Sequence, residues 1–189
     1  MRIPSTASFL VLALAAPFAR PALAQSVPVN PGFEEGAPEL VGWRHNRTTE
    51  YTFALDSVDA KEGRWAAHVT GQAGVGPDAF GAVIQGTRDA TYRGKRVRFR
   101  AWVRTDLPPG ANWAGIWLRV DLPNERTGFF DNMRARPILG RTGWQLYEIV
   151  GDVAADAEAI AFGMLLHGTG QAWVDQASLE VIGDAATAN

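Results

Sequence analysis

Apolar and polar residues alternate with a period of two in several short stretches. Arg96 to Arg104 places Val97, Phe99, Ala101 and Val103 on one side and Arg98, Arg100, Trp102 and Arg104 on the other. Trp113 to Asp121 splits into Ala114, Ile116, Leu118 and Val120 against Trp113, Gly115, Trp117, Arg119 and Asp121. Near the end, Ile160, Phe162, Met164 and Leu166 oppose Ala161, Gly163, Leu165 and His167. This period predicts half-buried strands. Further strands are expected at Tyr51 to Asp56, Trp65 to Thr70, Phe80 to Gln85, Trp144 to Val150 and Gln171 to Val181. Gly71 to Pro77, Asp106 to Gly110 and Gly168-Thr169-Gly170 have the composition of turns, and a single helical turn is expected at Ala154 to Ala159. Many short strands divided by turns predict an all-β chain, a two-sheet antiparallel sandwich.

If the strands at 96–104, 113–121 and 159–166 are neighbours in one sheet, their polar sides form a common outer face. That face would carry Arg100, Trp102, Arg104, Trp117, Arg119, Asp121 and His167 above the small residues Gly115, Ala161 and Gly163. Aromatic platforms with a few placed polar groups are the ordinary makings of a ligand site. Asn132 and Met133, in Asp131-Asn132-Met133, would roof one end. Trp43, Trp65, Trp144 and Trp173 are assigned to the core or to strand ends.

Residues 1–24 combine Arg2, an apolar run from Phe9 to Phe18 and the small-residue exit Ala22-Leu23-Ala24, the layout of a cleaved secretory signal. The mature chain is then expected to start at Gln25 and to be periplasmic or secreted. The apolar run is shorter than the roughly 20 residues a spanning helix needs, so no membrane insertion is expected. A single domain is expected over 25–183, followed by a disordered tail at 184–189. Removing Arg2 and Arg20 from the 18 basic residues leaves 16 against 20 acidic ones, a net charge of −4. That balance argues against a nucleic-acid partner. There is no cysteine, so the fold has neither a disulfide nor a thiolate metal site.

The ends carry a resemblance. Asn30-Pro31-Gly32-Phe33-Glu34-Glu35-Gly36 with Trp43, then Lys61-Glu62-Gly63-Arg64, and finally Gly170 to Asp175 followed by Ser178-Leu179-Glu180-Val181, resemble galactose-binding-like jelly rolls, in particular the family 4, 9 and 22 carbohydrate-binding modules. Tyr92 to Val97, Arg100 to Arg104, Asp131 to Met133, Arg136-Pro137-Ile138 and Trp144 are similar to a bacterial branch of that superfamily whose members mostly lack an assigned function. The resemblance covers about Val29 to Val181 and implies first and last strands lying side by side. It also implies a structural Ca²⁺ held by Glu34, the backbone around Lys61, and Asp175. The expected function is that of a non-catalytic module binding a saccharide or similar polyhydroxylated ligand on its concave sheet. Two alternatives stay open: an envelope module with a protein partner, and a small-molecule enzyme using Arg119, Asp121 and His167, where a histidine beside a carboxylate would supply acid–base chemistry.

Overall fold

The structure is a computed structural model that describes residues 27–186. The expected secretory signal and the last three residues lie outside the described residues. Ten strands form: β1 Arg44–His45, β2 Tyr51–Asp56, β3 Ala66–Gly71, β4 Phe80–Thr87, β5 Lys95–Asp106, β6 Trp113–Asp121, β7 Thr127–Asp131, β8 Arg141–Asp152, β9 Ala159–His167 and β10 Gly170–Asp184. They pair antiparallel in two five-stranded sheets, ordered β1-β4-β9-β6-β7 and β2-β3-β10-β5-β8. The expected all-β, two-sheet antiparallel sandwich is the architecture found.

The inner faces are those the period-two pattern marks. Val97, Phe99, Ala101 and Val103 of β5, Ala114, Ile116, Leu118 and Val120 of β6, and Ile160, Phe162, Met164 and Leu166 of β9 are all buried in one core between the sheets. Phe99 and Phe162 meet across it, one from each sheet, with ring centroids 5.0 Å apart. Each buried Val, Leu, Ile, Phe or Met side chain of this set contributes about 1.5 to 3 kcal/mol through loss of water contact.

Four sequence expectations are corrected. β5 lies in the second sheet between β10 and β8, whereas β6 and β9 are neighbours in the first; the three strands do not share an outer face. The opening segment is not a strand beside β10: it runs as turns, and Pro31 meets β10 through its carbonyl, which accepts from the Ala177 amide at 2.9 Å where β10 bulges between Asp175 and Ser178. Ala154 to Ala159 forms only a turn, closed by the Ala157 amide donating to the Ala154 carbonyl, and the one helical turn among the described residues is a 3-10 turn at Ala90–Tyr92. The final strand continues through Asp184, which pairs with Lys95 at 2.6 Å, and the Ala185 amide donates to the Gly94 carbonyl, so 184–185 belong to the sandwich rather than to a tail.

Candidate functional site

Strand register builds a cleft of about 820 Å³ on the solvent face of the first sheet. Across β4, β9 and β6 its floor runs in rows: Phe80, His167 and Trp113; then Ala82, Leu165 and Gly115; then Ile84, Gly163 and Trp117. A fourth row places Arg119 between Ala161 and Phe130 of β7. Trp113 stacks on His167 with centroids 5.4 Å apart and planes 21° from parallel. Four residues further along β6, about 13 Å by strand rise, the Trp117 indole sits above Gly163: a Cβ there would stand 3.2 Å from Trp117 Nε1 and would collide with the Val83 carbonyl oxygen. Trp117 is consequently a well-packed floor plate, only 7% exposed, and its Nε1 has no acceptor among the described residues.

One wall is the segment after β7. It is pinned beside β6 by paired hydrogen bonds between Ala114 and Ile138, at 3.0 and 2.8 Å, and braced by a two-pronged Arg136–Asp131 ion pair at 3.0 and 2.7 Å. Burial alone would raise the Asp131 carboxyl, but the Arg136 guanidinium and the Met133 amide outweigh it and hold it below the usual range. Glycine at 115 lets this wall close in, since a Cβ would meet the Asn132 carbonyl oxygen at 2.9 Å. Asn132, Arg134, Pro137 and Leu139 face the cleft from this wall, and Asn46, Pro77 and Asp78 from the opposite side.

Of the expected ligand residues, Trp117, Arg119, Asn132 and His167 line this cleft. Asp121 does not; it holds Arg119 at 2.7 Å from the end of β6. Met133 is corrected: its side chain is buried in the core, 3% exposed. Arg100, Trp102 and Arg104 are on the opposite side of the molecule, on β5. There Arg100 pairs with Glu180 at 2.7 Å, Arg104 pairs with Asp59 at 2.7 Å and lies over Trp173, and the Lys61 ammonium covers the Trp102 ring at 4.3 Å. The catalytic grouping is corrected too. His167 pairs in register with Trp113 and Arg119 with Ala161, six residues away along β9, about 20 Å. Among the described residues no carboxylate bonds to His167; its Nδ1 lies 3.3 Å from the Ala111 carbonyl oxygen, so Nδ1 carries the proton.

Sequence reasoning missed Trp113, Phe80, Phe130, Arg134, Leu139 and Asp78. Trp113 and Phe80 carried a signal, being on the outward register of strands read correctly. Phe130 is on β7, a strand the sequence pattern did not mark, and the loop residues Asp78, Arg134 and Leu139 carried none, because alternation says nothing about where a loop folds.

Glu34 and Asp175 do come together, beneath the loop at 57–65. Asp175 is fully buried; its Oδ2 accepts from the Lys61 and Glu62 amides at 3.0 and 3.1 Å and its Oδ1 from the Gln176 amide at 2.7 Å. Glu34 Oε1 accepts from the Arg64 and Trp65 amides, each at 2.8 Å. Burial pushes the Asp175 carboxyl up to about 6 against the pull of its three amide donors, and the Glu34 charge pushes the same way. Neither carboxylate has an ion-pair partner among the described residues. Carboxylate oxygens are the ligand type that a divalent ion such as Ca²⁺ takes. No three His, Asp or Glu side chains that could hold a metal ion cluster among the described residues, and the groups shown to face the two carboxylates are the amides of Lys61, Glu62, Arg64, Trp65 and Gln176.

No family model matches the chain. It is 29% identical over 149 residues to the uncharacterized HTH-type transcriptional regulator YbfP of Bacillus subtilis (strain 168), a match covering 78% of this chain and 50% of the regulator. The chain thus spans about half the length of the curated relative it matches. Among solved structures it is similar to the CBM22-1 xylan-binding domain from Paenibacillus barcinonensis Xyn10C, with TM-score 0.61 and 14% identity over 82% of this chain and 93% of that one. It is also similar to TmCBM61 in complex with β-1,4-galactotriose (TM-score 0.54, 15% identity, 84% and 99% covered) and to a family 16 carbohydrate-binding module (TM-score 0.55, 15% identity, 80% and 97% covered). The fold is therefore the jelly roll of these carbohydrate-binding modules, as the resemblance implied.

Proposed function

We propose that the protein is an exported, non-catalytic binding module that holds a saccharide in the cleft of its first sheet. The observation that carries this is the cleft floor. The Trp113–His167 stack offers a flat apolar surface beside the buried Trp117, and sugar ring faces stack on such surfaces. Arg134, which has no ion-pair partner among the described residues, supplies donors for hydroxyl and ring oxygens. The relatives of this fold whose names include xylan or β-1,4-galactotriose add support. Glycan-array screening followed by calorimetry tests the reading: selective, saturable binding to at least one oligosaccharide is expected, and indifference to the whole array overturns it. The amino-terminal layout supports export, and N-terminal sequencing of periplasmic or secreted material should start at Gln25.

The Glu34–Asp175 pair is proposed to hold a structural Ca²⁺ that neutralises the two carboxylates and ties the opening segment and the loop at 57–65 to β10. Calcium at 100 times its dissociation constant should add about 2.7 kcal/mol. A calorimetric melting temperature that falls on adding a chelator and returns with calcium is expected; an unchanged melt removes the ion.

A further inference from the structure

We propose that the saccharide carries apolar ester substituents, acyl or aryl, seated against the wall formed by Phe130, Pro137 and Leu139. This deepens the carbohydrate reading and rests on it. Phe80, Phe130 and Leu139 are 47%, 54% and 59% exposed, large apolar side chains gathered at the mouth of one cleft. Grouped exposure of this kind marks a surface that something covers.

The polar inventory points to the same ligand. Much of what would serve a bare sugar is already engaged within the protein. Asn46 accepts from the Ala82 amide at 2.7 Å and donates to the Phe80 carbonyl at 2.8 Å. Asn112 donates to the Pro108 carbonyl and accepts from the Thr169 amide. Asn132 Oδ1 accepts from the Arg134 amide, and Arg119 is committed to Asp121. The side-chain charges of Arg134 and Asp78 have no ion-pair partner among the described residues. An unsubstituted saccharide brings a dense set of hydroxyls, and each one desolvated without a partner opposes binding. An ester replaces a hydroxyl donor by a carbonyl acceptor and an apolar group. The wall matches both parts: Arg134 is a donor with no acceptor capacity, and Phe130, Pro137 and Leu139 receive the apolar part.

The test uses the full mature chain on arrays of extracted polysaccharides in native O-acylated form and after saponification, with affinities then measured by calorimetry on the fragments bound. Saponification is expected to weaken binding roughly tenfold, about 1.4 kcal/mol. In the double variant Phe130→Ser, Leu139→Ser, confirmed folded by its melt, the ratio of native to saponified affinity should fall to near one. Saponified ligand bound as tightly as the native form, or more tightly, overturns the ester proposal alone. No binding to either form overturns it together with the carbohydrate reading. Sedimentation showing a dimer that the double variant dissolves would assign the wall to a second copy and overturn it as well.

Discussion

Gly163 sets the depth of the cleft floor. Its missing side chain lets the Val83 carbonyl of β4 and the Trp117 indole of β6 close over β9 from both sides. Gly163→Ala would force the methyl against a backbone oxygen that cannot rotate away, and overpacking of this kind costs about 1 to 3 kcal/mol. A domain of this size should then melt several degrees lower, at about 2 to 4 °C per kcal/mol, and a thermal melt matching wild type would show that the strands yield freely. From the sequence, the small residues Gly115 and Gly163 read as room for a ligand. The room exists, but the protein fills it: Trp117 over Gly163, and the Asn132 backbone over Gly115. A missing Cβ announces a close approach without saying what approaches.

Along β5 and β10 the outward positions form a charged ladder. Arg98 and Arg100 converge on Glu180 at 2.8 and 2.7 Å, with Arg98 also 3.7 Å from Glu148, and Arg96 pairs with Asp152 at 3.1 Å. Hydrogen bonds from Arg98 and Arg100 hold the Glu180 carboxyl below the usual range. A carboxylate with a depressed folded pKa contributes stability that is present above its unfolded value, about pH 4.3, and is lost as pH falls through the folded value. Glu180→Gln should therefore be less stable than wild type at neutral pH, with the gap closing as acid titrates the wild-type group. The gap is small and shrinks further in high salt, because the pair is largely exposed. Urea melts at a series of pH values check this; a gap constant from neutral pH to below pH 3 would contradict the ion pair. The alternation that marked this face in the sequence was correct for every position from Val97 to Arg104. What it left open was the partner strand, since period two separates inside from outside within one strand and contains nothing about which sheet that strand joins.

At the scale of the whole molecule, that missing information decides the site. In this jelly roll most successive strands change sheet, and β5 and β6, joined by a short loop, end on opposite layers. Two outward tryptophans that look alike in sequence, Trp102 and Trp117, consequently face away from each other across a sandwich whose sheets stand about 10 Å apart. Trp102 lies under Lys61, beside the Glu34–Asp175 latch; Trp117 and Trp113 lie in the cleft. The family-like ends were readable because they are local motifs, whereas the cleft walls come from contacts distant in sequence, such as Ala114 with Ile138. The two faces give opposite expectations for one pair of variants. Trp113→Ala removes a stacking platform and should weaken oligosaccharide binding by about 1 to 2 kcal/mol, the scale of a lost aromatic stack with its buried area. Trp102→Ala should leave affinity within about twofold of wild type, because a change this far from the ligand adds independently and near zero. Calorimetric titration of both variants with the same oligosaccharide separates the faces. A loss at Trp102 equal to that at Trp113 would place recognition on the second sheet as well, and the cleft would then no longer account for binding by itself.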